Sequence, residues 1–411
     1  LSADAPPTST SAPRLGTLRQ VIETLAPIER RGGSPGEEQA ARWLAARLAQ
    51  TGWRVEVEEE RFYDGYARVI GTLSATAAAS GIAAQNRRTR KLAAAAAGLV
   101  TAAIADDVSN GPRVFRRATA PVHPTWNVVA HAGDPDAART LVVLAHHDAA
   151  PTGAIFDDQA QAWFGEHFPG VIERIDTSLP LWWALLSMPA LITVGALRDR
   201  RWMTRLGLLG SLVGTAVFAD VARRPVCPGA NDNLSAVAVL VALAEQLREH
   251  PVERLRVLLV SCGAEEVLQG GIHGFAERHF PHLDRDRTWF LNLDTVGSPR
   301  LILLEGEGPV VMEDYHDRSF RDLVGRAAER AGVPLRRGMR SRNSTDAVIP
   351  SRAGYPTTTI TSMDRYKALS NYHKMSDTPE NVDYRTVAQA LVLSEAVVRE
   401  LAHDPWAHAH H

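Results

Sequence analysis

The chain predicts an α/β fold: a doubly wound, mostly parallel sheet with helices on both faces. Two observations carry the prediction. Apolar runs within residues 140–145, 255–260 and 288–293 read as strands buried on both faces, the habit of parallel sheets. Helical stretches alternate with them. A third observation concerns where these runs end: at His146-His147-Asp148, Glu265-Glu266 and Asp294. In open α/β sheets the crevice beyond the carboxyl ends of the strands is where ligands bind, so these polar ends mark a candidate site.

In chain order, LSADAPPTSTSAPRL is rich in Pro, Ser and Thr and reads as disordered, without the charged start and apolar stretch of a signal peptide. Ser34-Pro35-Gly36-Glu37 starts a helix, with Ser as cap, Pro at the first position and Glu completing a capping box. That helix stops at Gly52. WRVEVEEERF alternates as a strand, and residues 126–130 and 140–145 form two more. Pro228-Gly229-Ala230-Asn231-Asp232-Asn233 turns into the helix SAVAVLVALAEQLREH. After the Glu265-Glu266 strand end come a short helix, the strand ending at Asp294, and the strand PRLILLEGEG. A helix over 318–331 follows, then a strand opening at Tyr355-Pro356, the loop Ser370–His373 and a last helix over about 383–401.

Two apolar insertions interrupt this order. The first is charge-free from Val69 to Asn86 and from Leu92 to Ala105, with Arg87-Arg88-Thr89-Arg90-Lys91 between. The second is charge-free from Ser178 to Leu197 and from Leu206 to Ala219, with Arg198-Asp199-Arg200-Arg201 and Arg205 between. Both read as helical hairpins with a basic tip and an acidic base. A bilayer-spanning role suits the basic tips and places the catalytic domain on the non-cytoplasmic side. Against it, two arms reach only 14 residues before meeting charge, where spanning takes about 20. A soluble lid or dimerisation module explains the same residues. The expected organisation is a disordered segment (1–14), a catalytic domain (15–66, 111–170 and 223–405), hairpins at 67–110 and 171–222, and a His-containing tail (406–411).

Bulk composition excludes little. The 411 residues are 45% hydrophobic and 22% charged, with net charge −2, so no basic field points to nucleic acid. Cys227 and Cys262 are the only cysteines, too few for a disulfide framework; they read as two free, half-buried thiols, with a bridge between them as the alternative.

The candidate ligands are His146, Asp232, Glu265-Glu266, Asp294 and His373. Singly, each has an ordinary explanation: a helix cap, a partner for arginine, a hydrogen-bonded histidine. Together they bring two imidazoles and several carboxylates to one sheet edge, as a mixed N/O zinc site requires. A two-metal site further needs a carboxylate between its ions.

Here the chain resembles the co-catalytic di-zinc aminopeptidases, with the related glutaminyl cyclases and glutamate-carboxypeptidase-like ectodomains. The resemblance rests on His146-x-Asp148, PGANDN, Glu265-Glu266, Asn292-Leu293-Asp294 and Tyr372-His373 before Asp377-Thr378-Pro379. It implies a zinc-exopeptidase-like sheet and two zinc ions per chain. His146 and Asp294 would hold one ion, Glu266 and His373 the other, and Asp232 would bridge them. Glu265 would be the general base, taking the proton of a water bridging the zincs. Asp148 would orient His146. Thr345-Asp346 falls where the family has Ser-Asp, and Tyr372 is a candidate to assist the oxyanion. His147 is a rival ligand that the His-x-Asp spacing disfavours. The implied substrate is a peptide with a free N-terminus. The alternatives are a one-zinc aminoacyltransferase of the glutaminyl-cyclase kind, a more general zinc amidase, or a non-enzymatic binding or membrane-scaffold protein. The preferred side chain and the oligomeric state are not legible.

Overall fold

The computed structural model of the chain describes residues 14–403. The segment expected to be disordered lies outside them except for Arg14, and the His-containing tail lies outside them altogether. Arg14 pairs with Glu245 at 2.9 Å and also with Glu249.

The chain opens with α1 (Leu15–Leu25) and α2 (Pro35–Ala49), then β1 (Arg54–Tyr63). Helices α3 (Tyr66–Ala83), α4 (Arg90–Val108) and α5 (Val114–Thr119) precede β2 (Val122–Gly133) and β3 (Thr140–His146). Next come α6 (Gln159–His167), α7 (Pro169–Arg174), α8 (Leu181–Leu197), α9 (Arg201–Val221) and α10 (Ser235–Glu249). The second half runs β4 (Arg256–Cys262), α11 (Gly270–His279), β5 (Thr288–Leu293), β6 (Arg300–Glu307) and β7 (Glu313–Asp314). It closes with α12 (Arg318–Arg330), β8 (Arg336–Ser341), α13 (Val348–Arg352), β9 (Thr357–Met363) and α14 (Tyr384–His403).

The strands form one sheet in the order β1-β2-β4-β3-β5-β9-β6-β7, with β8 on β6. Its centre, β4-β3-β5-β9, is parallel. The margins are antiparallel at β1/β2, β2/β4, β6/β9 and β6/β7. Apart from the marginal pair β6/β8, which is also parallel, the parallel part lies in the middle, where every residue of β3 and β9 is buried. Helices cover both faces. On one, alternate residues of β3 (Leu141, Val143, Ala145) pack with α1, α2, α10, α12 and α14; on the other, Val142 and Leu144 pack with α11 and Tyr355. Helix α10 is apolar on all sides and buried at every position from Ser235 to Ala244, as a central helix must be.

Three local details go beyond the sequence reading. Leu18, Val21, Ile22 and Leu25, at one-face helical spacing, make α1 a core helix. Strand β8, RRGMRS, lacks an apolar run and carries no strand signal because it lies at the sheet margin. At α2, Ser34 caps as expected, its Oγ accepting from the Glu37 amide at 3.2 Å. Glu37 does not close the box on Ser34. Its buried carboxylate accepts from the Gly33 amide and the Thr125 hydroxyl instead.

The two apolar hairpins merge into one four-helix bundle. Helix α3 packs on α4 and α9, and α8 packs on the same two. They enclose a separate core that includes Ile70, Leu73, Ala97, Ile104, Ile192 and Phe218. Close approach is built from small residues: a Cβ on Gly207 would sit 2.5 Å from the Met188 carbonyl oxygen, and one on Gly195 2.7 Å from the Thr204 amide.

Candidate metal centre

Each central strand carries one polar group to the same edge. His146 ends β3, paired in register with Cys262, the last residue of β4. A tight turn then delivers Glu265 and Glu266, with Ala264 at φ 48° and Leu268 at φ 63°. Asp294 follows β5, and His373 sits in the loop after β9. Asp232 does not cap α10; its backbone (φ −111°, ψ 90°) is non-helical and its carboxylate faces the imidazoles.

The distances are those of a coordination sphere. His146 Nε2 lies 3.4 Å from Asp232 Oδ1. His373 Nε2 lies 3.4 Å from Asp232 Oδ2 and 3.2 Å from Glu266 Oε2. Zinc bonds of about 2.0–2.2 Å in tetrahedral array separate neighbouring ligand atoms by about 3.3–3.6 Å. Direct hydrogen bonds would be about 2.7–3.0 Å. The two oxygens of Asp232 thus address two different histidines, and His146, Asp232 and Glu266 offer donor atoms within 4.8 Å of one another. Both ring nitrogens of His373 are buried without a hydrogen-bond partner. The donor set fits zinc.

Supporting residues fix this group. Asp148 accepts from the amides of Glu265 (2.9 Å) and Glu266 (3.1 Å), while its Oδ1 faces His146 Nδ1 at 3.4 Å. One carboxylate therefore holds the acidic turn and faces the imidazole, leaving His146 Nε2 toward Asp232. Thr295 Oγ1 lies 2.8 Å from Asp294 Oδ1 and 3.1 Å from Asp232 Oδ1, so Asp294 reaches the group through that hydroxyl. Glu265 has one oxygen held by Gln269 Nε2 at 2.9 Å and the other 3.9 Å from His146 Nε2. Tyr372 stacks on His373 with ring centroids 3.8 Å apart. His147, the rival ligand, instead meets Ser261 Oγ at 3.0 Å, and burial holds its ring down at about 4.

Burial and charge act against each other throughout. For His373 burial disfavours the charged ring, but Glu266 and Asp232 outweigh it and raise the pKa to about 10. His146 is raised too, burial losing to Asp148 and Asp232. Burial pushes Glu265 up, and pushes Asp294 to about 6 against the pull of His146. So many carboxylates shut away from water require compensating positive charge. A bound metal would supply it and would displace protons in doing so.

Sequence reasoning missed several residues of this apparatus. Asp377 accepts from the amides of Asn231 (2.8 Å) and Asp232 (3.1 Å), fixing the Asp232 backbone; it had served only as part of a motif. Arg30, fully buried, donates to five carbonyls, among them His147, Pro228 and Gly229, tying β3 to the Asp232 turn. Neither Arg30 nor Gln269 carries any local signal. Asp346, which the resemblance already marked, is buried beside Cys262 and raised to about 7 by burial. Both cysteines are free and buried.

Residues 215–398 match the family model described as Peptidase family M28. That segment, a little under half of the chain, is what resembles this peptidase family. The match points to a hydrolase of the peptidase class. The matched part contains Asp232, Glu265, Glu266, Asp294 and His373, whereas His146 and Asp148 lie upstream of it. No protein of curated function matches the sequence. Solved structures similar to the chain include an aminopeptidase from Aneurinibacillus sp. strain AM-1, at 14% identity and TM-score 0.53, covering 94% of both chains. A zinc aminopeptidase from Bacillus subtilis has 15% identity and TM-score 0.52, covering 94% of this chain and 93% of that one. The glutaminyl cyclase of Fimbriiglobus ruber has 14% identity and TM-score 0.55, covering 98% and 100%. At such identities these likenesses establish the shared fold.

Proposed function

We propose that the chain is a zinc aminopeptidase that removes the N-terminal residue of peptides. The observation that carries this reading is Asp232 between two histidines, with Glu265 free at one oxygen beside them. His146 and Asp294 would hold one zinc, Glu266 and His373 a second, and Asp232 both. When bound, zinc polarises the scissile carbonyl and lowers the pKa of water.

The remaining work falls to the side chains. Glu265 is the general base: Gln269 holds Oε1, leaving Oε2 to take a proton from the attacking water and pass it to the leaving amine. Burial, which raises the proton affinity of Glu265, suits it to that transfer. Asp148 keeps His146 and the Glu265-Glu266 turn in register. A small recess, with room for little more than a water, lies beside Glu266, walled by Tyr66 and Ala67 of α3, Val221 at the end of α9 and Ala222 just beyond it.

The likeness to a glutaminyl cyclase favours a second reading, a one-zinc aminoacyltransferase. A zinc-loaded substrate panel separates them. It would contain free-amine aminoacyl amides, their N-acetylated counterparts, and peptides beginning with Gln. Hydrolysis confined to free-amine substrates is expected. Equal cleavage of acetylated substrates would replace the reading with a general amidase, and cyclisation of N-terminal Gln without hydrolysis would replace it with the cyclase.

A further inference from the structure

We infer that the four-helix bundle spans a lipid bilayer, with its basic end on the cytoplasmic side and the catalytic recess opening at the opposite membrane surface. The inference does not depend on the peptidase chemistry. Among the described residues one helix, Arg201–Val221, is long and apolar enough to cross a membrane by itself, and Leu181–Leu197 is a shorter apolar helix. The case rests on what the folded bundle presents outward.

A bundle in water carries polar residues on its outer faces. Here those faces carry Leu92 (75% exposed), Leu99 (73%), Leu209 (61%) and Val213 (56%), interspersed with Ala and Thr. Residues 69–86, 92–105, 178–197 and 206–219 contain no charge, so an uncharged belt encircles all four helices. The helices, of 17 to 21 residues, are about 25–31 Å long. That matches a hydrocarbon core of about 30 Å.

The structure also accounts for the charges that shorten two arms. At the base, Asp107 is buried in a two-point pair with Arg116 (2.8 Å each), and Asp220 binds Arg224 and the Ala154 amide. Both are thereby drawn into contacts with the catalytic domain. At the tip, Lys91 and Arg205 have long stems that let their charges reach the headgroups. Both turns lie at the same end, joined by an Arg90–Asp199 pair. Residues 87–91 and 198–201 hold seven basic side chains and one acid, which complements anionic lipid and fits the cytoplasmic side. Exposed tryptophans mark both levels, Trp183 at the base and Trp202 at the tip. Glycine contacts between α8 and α9 supply the close packing that membrane helices use. The base of α3 and α9 forms the recess wall beside Glu266, so the site sits at the bilayer surface.

The test uses the full chain produced in bacterial cells. Membranes are washed with alkaline carbonate, and cysteines placed by Arg88→Cys and Arg318→Cys are labelled with an impermeant maleimide; the native cysteines are buried. Carbonate-resistant retention is expected, with Arg318→Cys labelled in intact cells or spheroplasts and Arg88→Cys only after permeabilisation. Leu99→Arg should cut the retained fraction at least tenfold, whereas on a water-facing surface it would change nothing. A monodisperse monomer without detergent would overturn the inference. So would a detergent-free dimer burying Leu99 and Leu209, or release by carbonate with both cysteines labelled from one side. Fractionation and labelling are read without any peptidase assay, so failure here and failure of the proposed activity are distinguishable.

Discussion

Replacing Asp148 by Asn keeps the shape of the side chain and removes half of what it does. The carboxylate accepts two amide hydrogen bonds, from Glu265 at 2.9 Å and Glu266 at 3.1 Å, and faces the His146 ring at 3.4 Å. An amide side chain has one acceptor oxygen, so one of the two N–H groups would instead confront an NH2 group. Losing a hydrogen bond to a charged acceptor costs about 1.5–3 kcal/mol. Loss of the orienting group behind a metal-binding histidine costs about 10–100-fold in affinity or activity. The two effects share a residue and do not simply add. The expected loss is about 100-fold in kcat/KM, on the order of 3 kcal/mol, with zinc affinity lowered at least tenfold. Steady-state hydrolysis of a free-amine aminoacyl amide, with zinc competition against a chelator, measures both. Wild-type zinc affinity with kcat/KM within threefold of wild type would refute the positioning role of Asp148.

Other consequences are read separately. Burial raises Glu307 from 4.5 to about 8, with one oxygen bonded to Thr345 and the other unpartnered. Its folded pKa exceeds the unfolded value, so its contribution is complete below pH 4.5 and lost as pH rises through about 8. A shift of that size corresponds to on the order of 4–5 kcal/mol, and Glu307→Gln should remove most of this decline in metal-free denaturation between pH 5 and 8.5. Asp107→Asn should destabilise the chain by about 3–5 kcal/mol by stranding the buried Arg116, while a double replacement by apolar residues of similar volume should recover most of the loss. Gln269→Leu removes the donor to Glu265 Oε1 and should shift the acidic limb of the kcat–pH profile with little change in zinc content.

The centre of the fold was legible because β3, β4 and β5 are apolar runs that end in polar residues, and buried parallel strands allow little else. The candidate site was legible for the same reason: His146, Glu265 and Asp294 stand where a core strand stops. Other features were hidden by their context. Glu37 occupies a position where any helix start welcomes an acid, and only the fold shows its carboxylate turned toward Thr125. Gln269 and Arg30 act through contacts with residues distant in sequence or with backbone carbonyls, which leave no periodicity. Each hairpin reads as a complete unit by itself, so their union into one bundle depends on faces of Ala and Gly that hydropathy scarcely distinguishes. The marginal strand β8 and the antiparallel edges follow from pairing, not from local pattern.

The most direct measurement is zinc content and turnover in the same preparation, for wild type and Glu265→Gln. If Glu265 moves the proton while other side chains hold the metal, both proteins should bind zinc alike and only wild type should hydrolyse free-amine substrates. Undiminished hydrolysis by Glu265→Gln, or a wild-type chain that takes up no zinc, would contradict the proposed chemistry at its centre.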